Sequence, residues 1–164
     1  MLEVIGGGSA YGARLIATQS IEAGELVHTI TNYRQTQQPT YQSIQVGADA
    51  HIEELGVIAY LNHSCLPNTL VNTTTMSIHA IRSIAAGDEL TFFYPSTEWA
   101  MDRPFVCLCG APQCVRLVAG AKYLSVDALS RYFINRHISE MIQATLAQQI
   151  AIDVSNSYVT VERK

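Results

Sequence analysis

The sequence predicts a mainly β domain closed by a C-terminal α-helix. Three observations carry that expectation. Short apolar runs separated by glycine-bearing or polar turns fill the first hundred residues. A proline-flanked cysteine cluster follows between residues 101 and 120, and from Val126 onward apolar residues recur at helical spacing.

Taken in order, Gly6, Gly7 and Gly8 read as a flexible entry to the first strand, since they lack the spacing and strand-to-helix setting of a nucleotide-binding loop. Residues 14–18, 25–30 and 41–46 are strand-length and partly alternating, with Gly24 and Gly47 supplying turn chemistry beside them. Residues 69–71 and 77–81 flank the polar stretch Asn72-Thr73-Thr74-Thr75, which predicts a hairpin. Gly87-Asp88 leads into residues 89–94, a buried strand. Residues 101–120, with Pro104 and Pro112, read as irregular backbone folded around a metal. From Val126 to about Ile150, Leu129, Tyr132, Phe133, Ile134, Ile138, Met141, Ile142, Leu146 and Ile150 fit one amphipathic helix. Ser125 or Asp127 could cap it. Such a helix would pack on the β core or against a second copy of the chain in a homodimer.

Composition limits the function classes. The chain has 164 residues, 48% of them hydrophobic, enough for one compact domain with a core. Its net charge is −4 and its Lys and Arg are scattered, so no basic stripe marks a direct nucleic-acid partner. No apolar run reaches the roughly eighteen residues of a membrane span. Met1-Leu2-Glu3-Val4-Ile5 lacks the charged and long apolar regions of a secretory signal, so an intracellular protein, cytoplasmic or nuclear, with reduced thiols is expected.

All four cysteines fit a single tetrathiolate site. Cys65 lies in Asn62-His63-Ser64-Cys65, and Cys107, Cys109 and Cys114 form a C-x-C-x4-C cluster downstream. One zinc ion held by four thiolates at about 2.3 Å can pin together segments far apart in sequence. Cys107 and Cys109, one residue apart, are poorly spaced for a mutual disulfide. The even count still leaves a disulfide framework as the alternative.

Four segments resemble one family. Gly12-Ala13-Arg14-Leu15-Ile16-Ala17, followed by Ile21-Glu22-Ala23-Gly24-Glu25, is similar to the opening G-x-G-L-F-A…I-x-x-G-E of a SET domain. Tyr60-Leu61-Asn62-His63-Ser64-Cys65-Leu66-Pro67-Asn68 resembles the N-H-S-C-x-P-N core. Residues 80–94, ending Glu89-Leu90-Thr91-Phe92-Phe93-Tyr94, resemble the strand A-x-R-x-I-x-x-G-E-E-L-T-F-D-Y. Residues 105–114 resemble the post-SET motif.

The resemblance implies a SET-domain β-clip fold with a knotted C-terminal segment, a zinc-bound post-SET region and a C-terminal α-helix. It divides the chain into a SET domain over 1–100, a post-SET zinc-binding segment over 101–124 and a helix with tail over 125–164. It implies S-adenosylmethionine as cofactor, held by Gly12, Ala13, Arg14, Tyr60, Asn62 and His63. Tyr94 would be the catalytic tyrosine, with zinc on Cys65, Cys107, Cys109 and Cys114. The implied acceptor is the lysine of a protein or peptide, entering from the face opposite the cofactor. An apolar channel beside a sulfonium suits that chemistry, because desolvation and like charge favour the neutral, nucleophilic amine.

The chain departs from the family pattern at two places. Arg14 stands at the second glycine, where a positive φ would cost arginine about 1 kcal/mol or more. Phe93 stands where an acidic residue usually precedes the tyrosine. The chain also lacks the accessory parts of histone enzymes, which leaves two alternatives to a lysine methyltransferase. One is a SET-like enzyme acting on a small molecule, and the other is a non-catalytic, zinc-stapled binding module. Trp99 and Phe105 could line the cofactor or substrate pocket, but read first as packing groups beneath the cysteine segment. His28, His51, His79 and His137 read as ordinary histidines, and Glu22, Glu25, Asp88 and Glu89 as solvated turn carboxylates.

Overall fold

In the computed structural model, residues 1–9 and 12–161 are described. The strands are β1 (Leu2–Ser9), β2 (Gly12–Ala17), β3 (Leu26–Thr29), β4 (Arg34–Thr36), β5 (Ile44–Gly47), β6 (Ala50–Glu53), β7 (Asn62–His63), β8 (Thr69–Asn72), β9 (Ser77–Ala80), β10 (Thr91–Phe92), β11 (Phe105–Val106) and β12 (Leu117–Val118). Two helices follow, α1 (Val126–Leu129) and α2 (Arg136–Val161). Small sheets assemble the strands: β1 with β2, β3-β9-β8, β4-β6-β5, β11 with β12, and a parallel pair of β7 with β10.

The hairpin predicted around residues 72–75 is β8–β9, with Val71 opposite Ile78. Its turn is held by Asn72, whose Oδ1 accepts from the backbone N–H groups of Thr74 and Thr75. Along β8 the side chains alternate, so Thr69 and Val71 face inward and join Leu15, Ile21, Ile52, Ile78, Ile84 and Leu90 in the core. Burying each of the larger aliphatic side chains contributes about 1.5–3 kcal/mol.

The segment that positions the site runs from Asp88 to Phe92 between β2 and β7. Leu90 donates its N–H to the Leu15 carbonyl on one side, and Thr91 and Phe92 pair in parallel with Asn62 and His63 on the other. Parallel neighbours need a long crossover, and here the β8–β9 hairpin and the turn after it supply that connection.

Three expectations are corrected. The C-terminal region is two helices, not one from Val126 to Ile150. Ser125 caps α1 by accepting from the Ala128 N–H. The chain then breaks because the Asn135 N–H donates to the Ser96 carbonyl, leaving the helical ladder. In α2 only the first turns are covered: His137 and Ile138 are buried, whereas Leu146, Ile150 and Ile152 are exposed. The cysteine segment is not irregular throughout, because β11 and β12 pair across it, Phe105 opposite Val118. The triple glycine lies inside β1, where the register with β2 shifts between Ile5 and Ser9. Among the described residues no helix is long and apolar enough to cross a membrane.

Candidate functional site

The β7–β10 pairing gathers the predicted residues Asn62, His63 and Tyr94. Asn62 Nδ2 donates to the Ala13 carbonyl at 3.0 Å and to Glu89 Oε1 at 2.8 Å, tying the start of β2 to the segment that leads into β10. His63 Nδ1 accepts the Tyr94 backbone N–H at 3.2 Å. A backbone N–H can only donate, so the proton of neutral His63 sits on Nε2, which lies 3.3 Å from Cys65 Sγ. Burial holds the imidazole neutral, lowering its pKa to about 4. The histidine thus joins the backbone of Tyr94 to a sulfur of the cysteine cluster.

Tyr94 donates its hydroxyl to the Leu61 carbonyl at 3.0 Å. Around it stand Phe92, His63 and Phe105, with ring centroids 4.8, 5.3 and 6.1 Å away. Phe92, Tyr94 and Phe105 border a cavity of about 310 Å³ that Leu61 and Glu98 also line. Phe105 does both things open to it: it packs against the cluster of Cys65, Cys107 and Val118 and it lines the cavity. Trp99 does pack, against the buried cluster of Phe93, Leu129 and Ile138.

Gly12 has a φ of +92°, which glycine adopts freely. Arg14 carries no such strain. It lies inside β2 opposite Ile5 and outside the left-handed region. Its Nε is buried without a hydrogen-bond partner among the described residues. A buried, unpartnered guanidinium nitrogen suits an anionic ligand group. Tyr60 ends the turn at Gly56–Tyr60, is 37% exposed, and makes no hydrogen bond to this group among the described residues.

The four cysteines are free thiols whose sulfurs all lie within 4.8 Å of one another. Cys65 and Cys107 Sγ are 3.8 Å apart. Zinc–sulfur bonds of about 2.3 Å in a tetrahedron give an edge of about 3.8 Å, so the donor set fits zinc. Val115 and Arg116 donate backbone N–H groups to Cys65 and Cys114 Sγ. Gln113 Nε2 and the Tyr132 hydroxyl both donate to the Cys65 carbonyl. Burial raises the Cys65 thiol above its ordinary pKa. At Cys109 burial acts the same way but is outweighed by backbone donors of Ala111 and Cys65 and by neighbouring thiols, which bring it to about 7. A divalent cation would favour the thiolate at all four positions.

The SET-domain family model matches residues 12–95, more than half of the chain. The chain belongs to the SET-domain family. It is 37% identical over 159 residues to methyltransferase flvH of Aspergillus flavus, covering 94% of this chain and 89% of that one. It is 32% identical over 96 residues to an H3 lysine-36-specific histone-lysine N-methyltransferase of Mycosarcoma maydis, covering 54% of this SET protein but 10% of the relative. A crystal structure of KRYPTONITE with mCHG DNA and SAH shares the fold, with a TM-score of 0.57 and 22% identity over 71% of this chain. The present chain spans only 28% of that one.

Two groups escaped the sequence reading. Phe93, seen there only as a departure, stacks on Tyr132 with centroids 3.6 Å apart and planes 5° from parallel. Glu98, in the stretch after Tyr94, is a buried carboxylate.

Proposed function

We propose that this SET protein transfers a methyl group from S-adenosylmethionine to an amine, the lysine side chain of a protein or peptide. The carrying observation is the placement of Tyr94, locked by His63 and the Leu61 carbonyl on the wall of an aromatic-lined cavity. When bound, S-adenosylmethionine would supply an electrophilic methyl on a sulfonium. Gly12, Ala13, Asn62, His63 and Tyr60 would hold it, and the unpartnered Arg14 Nε would meet its carboxylate. The aromatic walls exclude water and align the amine, effects worth about 7–11 kcal/mol when fully realised. The Tyr94 hydroxyl orients the amine and needs no strong basicity. Zinc on Cys65, Cys107, Cys109 and Cys114 would hold residues 105–118 against His63 as a structural pin. The division at residues 100 and 124 belongs to the same proposal.

A small amine as acceptor is the second reading. One observation favours it: the chain matches flvH over nearly its whole length, whereas it shares only about half of its length with the histone enzyme.

Calorimetric titration with S-adenosylhomocysteine, followed by assay of its release with peptide and small-amine acceptors, tests the proposal. Binding is expected, and Tyr94→Phe lowers kcat/KM by about 100-fold with cofactor affinity unchanged. The absence of any heat of binding would sink it.

A further inference from the structure

Four residues beyond Tyr94, the chain turns a carboxylate into the same cavity. Glu98 is 8% exposed. Its backbone is fixed on both sides, the N–H donating to the Tyr94 carbonyl at 3.0 Å and the carbonyl accepting from Ala121 N–H at 2.8 Å. Oε1 accepts the Gln45 backbone N–H at 2.9 Å and the Thr97 hydroxyl at 3.1 Å. Both of these bonds fall on Oε1, and Glu98 lines the cavity beside Leu61, Phe92 and Phe105.

Among the described residues no charged group pairs with it. Asp102 and Arg103, also on the cavity, pair with each other at 3.6 Å. His51 of β6 and His137 of α2 are both held neutral-leaning by burial, which lowers their pKa. Glu140 of α2 pairs with Arg136. Desolvation accordingly raises the Glu98 carboxyl to about 7. A buried carboxylate with no cation paired to it is costly, and such groups persist where a ligand completes them.

We propose that Glu98 is the anionic anchor for the acceptor, making the cavity selective for an alkylammonium group. This rests on the methyltransferase reading and names the residue that selects the acceptor's charge. The carboxylate draws the cation out of water and onto the Tyr94 wall. A neutral chain of the same shape gains only the apolar contacts. The selectivity therefore resides in one side chain, and Glu98→Gln removes it while keeping Oε1 for Gln45 and Thr97.

Ligand-observed NMR at pH 8, with pentylamine and 1-pentanol as probes, tests this with and without S-adenosylhomocysteine. Wild-type protein is expected to bind pentylammonium at least about tenfold more tightly than pentanol, as a charge-assisted contact requires. Glu98→Gln should weaken the amine by about the same factor and leave pentanol within twofold. Equal affinity of the wild type for the two probes overturns the proposal, as does amine binding unchanged in the variant. The first comparison needs no variant, so a folding defect cannot obscure it. Cationic selectivity without any cofactor binding would instead defeat the methyltransferase reading and leave the anchor standing.

Discussion

Phe93 stands where an acidic residue was expected, and its surroundings give the reason. Its ring is buried and stacks on Tyr132, whose hydroxyl reaches the Cys65 carbonyl. A stack of this kind is worth about 0.5–1.5 kcal/mol beyond burial, and a carboxylate could not replace it. Glu98 shows the opposite case, a charge kept inside at a cost. Its folded-state carboxyl lies near 7 against an ordinary 4.5, so the native state holds the proton more tightly than the unfolded chain. That contribution is complete below about pH 4.5 and is lost as pH rises through 7, at a cost of roughly 3 kcal/mol. His51 and His137 act in the other sense, losing stability as pH falls below about 6.5. Subtracting wild type from Glu98→Gln largely removes their effect. The variant's stability relative to wild type, read from urea melts, should therefore rise between pH 5 and pH 8. A difference that stays flat would contradict the assignment. At this scale, Asn62, His63, Tyr94 and the cysteines were legible because short motifs fix them. Glu98 was not, because nothing local distinguishes a buried carboxylate from a solvated one.

Among the elements, the entry to α2 decides how the C-terminal region docks. Asn135 is 1% exposed and serves four partners. Its Oδ1 accepts from the Thr73 N–H and hydroxyl, and its Nδ2 donates to the Val71 and Ser96 carbonyls. One amide thus joins the β8–β9 hairpin, the turn after Tyr94 and the start of α2. Asn135→Ala strands these groups in the interior, and the expected loss is about 2–4 kcal/mol. By calorimetry that is a fall in Tm of about 6–12 °C; a change under 2 °C would remove the joint from the explanation. The break before Asn135 was illegible in the sequence. The 3.6-residue periodicity runs through residues 130–135 without a proline or glycine, and the competing bond comes from Ser96, distant in sequence. The hairpin was legible because its turn chemistry is local, in the run Asn72-Thr73-Thr74-Thr75. The pairings of β7 with β10 and of β11 with β12 are only two residues long, too short for any pattern to announce.

For the molecule as a whole, the four sulfurs are where the distant parts meet. They join the His63–Cys65 corner to the segment between β11 and β12, and through Tyr132 to the C-terminal helices. The mainly β class followed from strand-length runs, whereas the separate buried cluster of Phe93, Leu129 and Ile138 did not follow from composition. The family followed from four motifs in order, whereas the packing of the last third depended on long-range partners that no window of sequence contains. If one zinc ion holds this junction, losing it should loosen Phe105 and the cavity wall together. Elemental analysis of protein purified under reducing conditions, paired with S-adenosylhomocysteine calorimetry on the same sample, measures this. One zinc per chain is expected in the wild type, with loss of both the metal and the cofactor affinity in Cys107→Ser. Metal-free protein that binds the cofactor normally would contradict it.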